Sequence, residues 1–138
     1  MAKTEKRNKW IDLLYYLAMA GLVAWYAYSK GWILADFPSI APKQAITMLS
    51  NDDNVTLLDV RTIPEYKAGH LKDATLIPLD KLPENLSQLP KDKKILVYCR
   101  SGNRSVSASR ILKSHGYTPV NIKEGMIGLS REHADIIK

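Results

Sequence analysis

The sequence contains a single cysteine, Cys99. One thiol excludes an internal disulfide and any zinc site built on paired cysteines. His70, His115 and His133 are too scattered to form a ligand cluster, so neither a metal nor a cofactor is expected. Charge surplus is small as well. The net charge is +6, and residues 39–138 carry 15 Lys and Arg against 11 Asp and Glu, a balance of +4. That is a mildly basic surface and not a nucleic-acid footprint. The interleaved aromatic and basic residues of RNA-binding surfaces are missing too. Internal repeats and low-complexity tracts are absent, and 138 residues leave room for one ordinary domain plus something small.

What the sequence does have is one long uncharged run. Leu13 to Ser29 holds 17 residues without a charge, and with Lys30 snorkelling the apolar stretch reaches Ala35. Residues 10–32 as a helix would cover roughly 34 Å, against a hydrocarbon core of about 30 Å. Apolar residues surround the axis, which argues against a helix lying flat on a surface. Trp10, Trp25, Tyr26, Tyr28 and Trp32 gather towards the ends, as interfacial aromatics do. A cleaved signal peptide is the rival reading, with Leu17-Ala18-Met19-Ala20 before Gly21 as a cleavage site. The apolar run continues well past Ala20, however, and Tyr15 and Tyr16 are bulky for a signal core. The expectation is therefore an uncleaved signal anchor in a lipid bilayer. Residues 1–9 carry Lys3, Lys6, Arg7 and Lys9 against Glu5, a basic tail that the positive-inside rule keeps cytoplasmic. The remainder is then extracytoplasmic, in a bacterium beyond the inner membrane. Ala20, Gly21 and Ala24 offer small residues for a helix-mediated homo-oligomer, although the run lacks a full GxxxG.

Residues 33–38 read as a linker, and residues 39–138 as one domain in which short apolar strands alternate with helices. Strands are expected at Val55–Val60, Ala74–Ile77, Ile95–Tyr98 and Val120–Ile122. Helices are expected at Pro42–Leu49, Pro64–Ala68, Leu82–Leu89, Ser105–His115 and Met126–Ile137. This alternation implies βαβ units and a central parallel sheet flanked by helices, an α/β fold.

Ligands of open parallel sheets bind beyond the carboxyl ends of the strands. Cys99 follows such a strand and precedes a helix. The loop Cys99-Arg100-Ser101-Gly102-Asn103-Arg104-Ser105 can turn its backbone N–H groups inward, and the helix start adds its positive end. Gly102 permits positive φ, while Arg100 and Arg104 add charge. Such surroundings favour thiolate over thiol and hold an anion, which makes Cys99 a candidate nucleophile. A lone cysteine is otherwise most often a small buried hydrophobe.

These residues resemble the active-site loop of the rhodanese-like sulfurtransferases. Upstream, Leu58-Asp59-Val60-Arg61, Glu65-Tyr66, Gly69-His70-Leu71, Ala74 and Ile77-Pro78 resemble the same family in order and spacing. Downstream, Gly116-Tyr117 and Glu124-Gly125-Met126 do so too, giving a likeness over about residues 39–129. The resemblance implies a small sulfurtransferase domain. The Cys99 thiolate would take the outer sulfur of an anion such as thiosulfate, release sulfite, and pass the sulfur from its persulfide to cyanide or a thiol. It implies further that Arg100 attracts the anion, that Arg104 closes the loop, and that Asp59 and Arg61 help hold it. A surface ion pair is the other reading of Asp59 and Arg61. Four residues separate Cys99 from Arg104, whereas protein tyrosine phosphatases place five there, so the shorter loop favours a sulfur substrate. A non-enzymatic persulfide carrier or redox sensor, docking to a partner through the basic loop rim, is the alternative function.

The sequence departs from the family pattern at three places. Glu124 stands where a second glycine is common, Leu129 replaces a tryptophan, and Ala41 replaces a serine cap. None of these removes a reacting group.

Overall fold

The computed structural model describes residues 8–138, so Lys3, Lys6 and Arg7 of the expected basic tail lie outside the described residues. Helix α1 runs from Lys9 to Ser29, capped by Asn8 Oδ1, which accepts from the Trp10 N–H at 3.4 Å. Its 21 residues span about 31 Å at 1.5 Å each, and none of them is buried. By length and composition it can cross a membrane.

The rest is a five-stranded parallel sheet in the order β1-β6-β5-β2-β4. Its strands are β1 (Ser39–Ile40), β2 (Val55–Asp59), β4 (Thr75–Leu76), β5 (Lys94–Tyr98) and β6 (Thr118–Ile122). Helices α2 (Pro42–Asn51) and α5 (Gly125–Arg131) cover one face and α4 (Asn103–Ser114) the other, while the short α3 (Ile63–Ala68) follows β2. Alternation along β5 shows how the sequence feeds both faces. Ile95, Val97 and Cys99 enter the cluster with Ala108 and Leu112 of α4, while Leu96 and Tyr98 enter the cluster with Ala45 of α2 and Leu129 of α5. Parallel strands covered on both sides read as continuous apolar runs, as β5 does.

Local chemistry explains the element ends. Thr62 and Glu65 form a capping box on α3, with Thr62 Oγ1 accepting the Glu65 N–H at 3.4 Å and the Thr62 N–H donating to Glu65 Oε1 at 3.3 Å. Ala41 has no side chain to cap α2, and Gln44 Oε1 accepts the Ala41 N–H at 2.9 Å instead.

Three expectations about elements need correction. Leu82–Leu89 is not an α-helix but parts of two 3-10 segments, Leu79–Glu84 and Leu86–Gln88, with Pro83 inside the first. The last helix ends at Arg131 and not at Ile137. His133 adopts φ 58°, the chain turns, and β7 (Ile136–Ile137) pairs antiparallel with β3 (His70–Leu71) in a separate two-stranded sheet. Helix α4 starts two residues earlier than expected, at Asn103.

Candidate active site

Cys99 sits where β5 ends, with 1% of its surface exposed. The Gly102 N–H donates to its Sγ at 3.1 Å, and Ser105 Oγ lies 3.5 Å from the same sulfur. Gly102 makes this turn at φ 105° and serves as N-cap of α4, so the positive end of a 12-residue helix faces the thiol. Arg100, Ser101 and Asn103 are exposed on the rim, whereas Gly102 and Ser105 are buried. The loop thus brings Cys99, Gly102 and Ser105 together and leaves Arg100, Ser101 and Asn103 on its rim.

The outer side of the loop is held by α5. The Met126 N–H donates to the Cys99 carbonyl at 2.7 Å and the Ile127 N–H to the Arg100 carbonyl at 3.1 Å. These bonds hold the loop from α5 while the Gly102 N–H faces the sulfur. Only glycine fits at the contact point. A Cβ on Gly125 would lie 2.2 Å from the Cys99 oxygen and 2.8 Å from the Arg100 carbonyl carbon. Glu124, which replaces a common family glycine, adopts φ 60° just before it, a left-handed conformation that is costly for any residue with a Cβ.

Arg104 does not reach into the cradle. Its guanidinium forms a two-pronged pair with Glu65 of α3, at 2.8 and 2.9 Å. Glu65 thus caps α3 and anchors the first turn of α4 at once. The Arg104 bond, set against partial burial and helped by Thr62, lowers the Glu65 pKa to about 2. Sequence reading placed Glu65 in a motif but missed this role, for the partner lies 39 residues away.

Asp59 and Arg61 are not a surface ion pair: they are 0% and 5% exposed. Arg61 donates to both Asp59 oxygens, at 3.0 Å from Nε and 2.7 Å from Nη2, and Nη2 also donates to the Gly69 carbonyl at 2.7 Å. Burial disfavours the Arg61 charge, but hydrogen bonding to Asp59 and the charges around it raise the pKa on balance. Tyr98 stands opposite Asp59 in register, and its hydroxyl accepts the Leu71 N–H at 3.1 Å. Burial, then the Asp59 charge, raises the Tyr98 pKa, keeping it neutral. This network fastens the ends of β2 and β5 to β3, one residue before the cysteine. His70 stacks on Tyr66 with ring centres 3.6 Å apart, and its Nδ1 lies 2.8 Å from the Tyr66 carbonyl oxygen.

The family profile described as "Rhodanese-like domain" matches residues 41–131. A sulfurtransferase of Allochromatium vinosum is 37% identical over 90 residues, covering 64% of this chain and 84% of that protein. The Bacillus subtilis protein YrkF, provisionally named a sulfur carrier, is 31% identical over 93 residues, 67% of this chain but only 50% of its own length. Among solved structures, a rhodanese-related protein from Thermoplasma volcanium superposes with a TM-score of 0.67 at 30% identity, covering 73% of this chain and 98% of that one. The parallel sheet, the cysteine at its carboxyl edge and these matches agree: the chain belongs to the rhodanese-like family of sulfurtransferases and sulfur carriers.

Proposed function

We propose that this protein is a sulfurtransferase whose Cys99 carries sulfur as a persulfide. The observation that carries the reading is the placement of Cys99 Sγ, which receives the Gly102 N–H at 3.1 Å beside the start of α4. In the first half-reaction, the Cys99 thiolate attacks the outer sulfur of thiosulfate. The S–S bond of the donor breaks, its electron pair leaves with sulfite, and a new S–S bond forms on Sγ. In the second, a thiol or cyanide attacks the outer persulfide sulfur, and the electron pair of the S–S bond returns to Sγ. Backbone N–H groups stabilise the negative charge in both steps without rearranging. Exposed Arg100 draws in the anion, while Arg104, Asp59 and Arg61 position the loop.

The full chain incubated with thiosulfate is expected to gain one sulfur atom by mass spectrometry, and to lose it to cyanide. Cys99→Ser gains none. Sulfur transfer by Cys99→Ser, or aryl phosphate hydrolysis faster than sulfur transfer by the native chain, overturns the reading. A stable persulfide with negligible turnover favours the carrier function instead, the description attached to the relative YrkF.

Helix α1 supports a membrane anchor in this proposal, with its N-terminus cytoplasmic and the sulfurtransferase domain outside. A reporter fused after Lys138 is then active only in an extracytoplasmic form. Activity in the cytoplasmic form reverses the orientation.

A further inference from the structure

Helix α1 ends in a turn that doubles back on it. Lys30 closes the helix and Gly31 takes φ 74°. The Gly31 N–H donates to the Tyr28 carbonyl at 3.0 Å and the Trp32 N–H to the Ala27 carbonyl at 2.9 Å. This is the Schellman arrangement, whose usual companion is an apolar contact across the turn. Here the Trp32 ring meets the Tyr26 ring edge-on, with centres 5.6 Å apart. Tyr26 lies three residues before the helix end, about 4.5 Å back along the axis at 1.5 Å per residue. Trp32 is therefore held level with the last turn of α1 and is not carried away from it.

Beyond the turn, the backbone is bound to the domain while the side chains stay outside. The guanidinium of Arg110 on α4 donates to the carbonyls of Leu34 at 2.5 Å, Tyr28 at 2.7 Å and Ile33 at 3.2 Å, and lies 3.7 Å from the centre of the Tyr28 ring. A Cβ on Gly31 would stand 3.0 Å from Val106 of the same helix, so the end of α1 is pressed against α4. Yet Trp32 is 70% exposed and Leu34 79%, and Ile33 is exposed as well. Leu34 holds its place at φ 54°, a costly conformation for a residue with a Cβ. The patch ends at Asp36, after which Phe37 is buried in the domain.

Across a cleft from this patch lies the rim of the cysteine loop. Lys30, Trp32 and Leu34 stand on one wall and Ser101, Gly102 and Lys123 on the other. Lys30 and Lys123 give both walls positive charge, while Glu124 beside Lys123 is engaged by Arg131 at 2.9 Å. Rings, aliphatic side chains and lysines at one level suit a membrane–water interface, where rings sit among the headgroups and lysines meet phosphates. The patch is also continuous with α1, which buries none of its residues in the domain. Whatever covers the end of α1 therefore reaches Trp32 too.

We infer that the Trp32–Leu34 turn is a second membrane contact, occupied by the phospholipid interface, and that Arg110 clamps the domain to it with the rim of the cysteine loop against the headgroups. This inference rests on the membrane-anchor reading of α1 and adds an orientation to it. A loose tether would leave the domain free to turn. Three carbonyl bonds and a ring contact to one guanidinium fix it instead.

Two measurements on the full chain in vesicles of phosphatidylcholine and phosphatidylglycerol test it. In the first, Trp10→Phe with Trp25→Phe leaves Trp32 as the only tryptophan, and Trp10→Phe with Trp32→Phe leaves Trp25 as the reference. Lipids brominated near the headgroup or near the chain end quench tryptophan by contact. Trp32 is expected to be quenched most by the bromines nearest the headgroup. Quenching of Trp25 without quenching of Trp32 overturns the inference and leaves the anchor standing, whereas quenching of neither overturns both. A Trp32 shielded from lipid bromines and from aqueous iodide alike is covered by protein, a second copy of this chain included, and that also overturns the inference. In the second, Ser101→Cys in Cys99→Ser carries a dye on its only thiol, and a spin label on the lipid headgroup is the quencher. The dye is expected to be quenched, and Arg110→Gln to remove most of that quenching while leaving Trp25 unchanged. A dye left unquenched beside the native Arg110, or quenched equally in Arg110→Gln, overturns the inference.

Discussion

Gly125→Ala perturbs the cysteine loop through its backbone support without touching the thiol. The alanine Cβ would stand 2.2 Å from the Cys99 oxygen and 2.8 Å from two carbonyl carbons, all of them backbone atoms unable to swing aside. Either the loop or α5 must move by most of an ångström. The Met126–Cys99 and Ile127–Arg100 hydrogen bonds, at 2.7 and 3.1 Å, lie in the path of that movement. Losing both costs about 1–3 kcal/mol at 0.5–1.5 kcal/mol each. Alanine at φ 50° adds about 1–2 kcal/mol of left-handed strain. The expected loss of stability is therefore about 2–5 kcal/mol, a large part of the total for a small domain. Persulfide formation should slow by about 10²–10³-fold, as when a donor aimed at developing charge is lost. Gly116→Ala is the matched control: its φ is 83°, yet a Cβ there meets nothing within 4 Å. It should show the strain alone and load sulfur at the native rate. Urea unfolding gives the stability and stopped-flow sulfite release the rate. If Gly125→Ala is no less stable than Gly116→Ala and loads sulfur as fast as the native chain, the account of α5 as the loop's support is wrong.

Arg61→Met leaves the Asp59 carboxylate buried without its partner, and should destabilise the domain by about 3–5 kcal/mol in urea unfolding; Asp59→Asn in the same background should recover part of that. The Glu65 carboxylate has a folded pKa of about 2 against 4.5 for the free group, so its contribution is full above pH 4.5 and is lost as the pH falls towards 2. Glu65→Gln should flatten that part of the stability profile, and an unchanged acid limb speaks against the Arg104 pair. Residues 36–138 should unfold cooperatively without α1, because the helix contributes no buried residue while Phe37, 7% exposed, stays in the fragment; a fragment with secondary structure but no cooperative transition contradicts this.

The sequence by itself determined the fold class, the thiol's position at a strand end and the loop around it. These are local features. Apolar runs of four to six residues between helical segments specify buried parallel strands, and Gly102 after a strand end marks a turn towards a helix, although α4 starts at Asn103 and not at Ser105. It also marked α1, since an uncharged helix-length run needs no tertiary contact to be recognised. Local patterning misled where it was too short to set a period. Ile136 and Ile137 look like the tail of a helix, and only pairing with His70 and Leu71 makes them a strand. Tertiary structure alone decided the partners. Glu65 and Arg104 are 39 residues apart, Arg110 grips carbonyls more than 70 residues upstream, and Gly125 is confined by the backbone of Cys99. Such contacts arise when packed layers bring distant segments within a few ångströms. A side chain's type states what partner it needs, but the packing of the layers decides which one it gets.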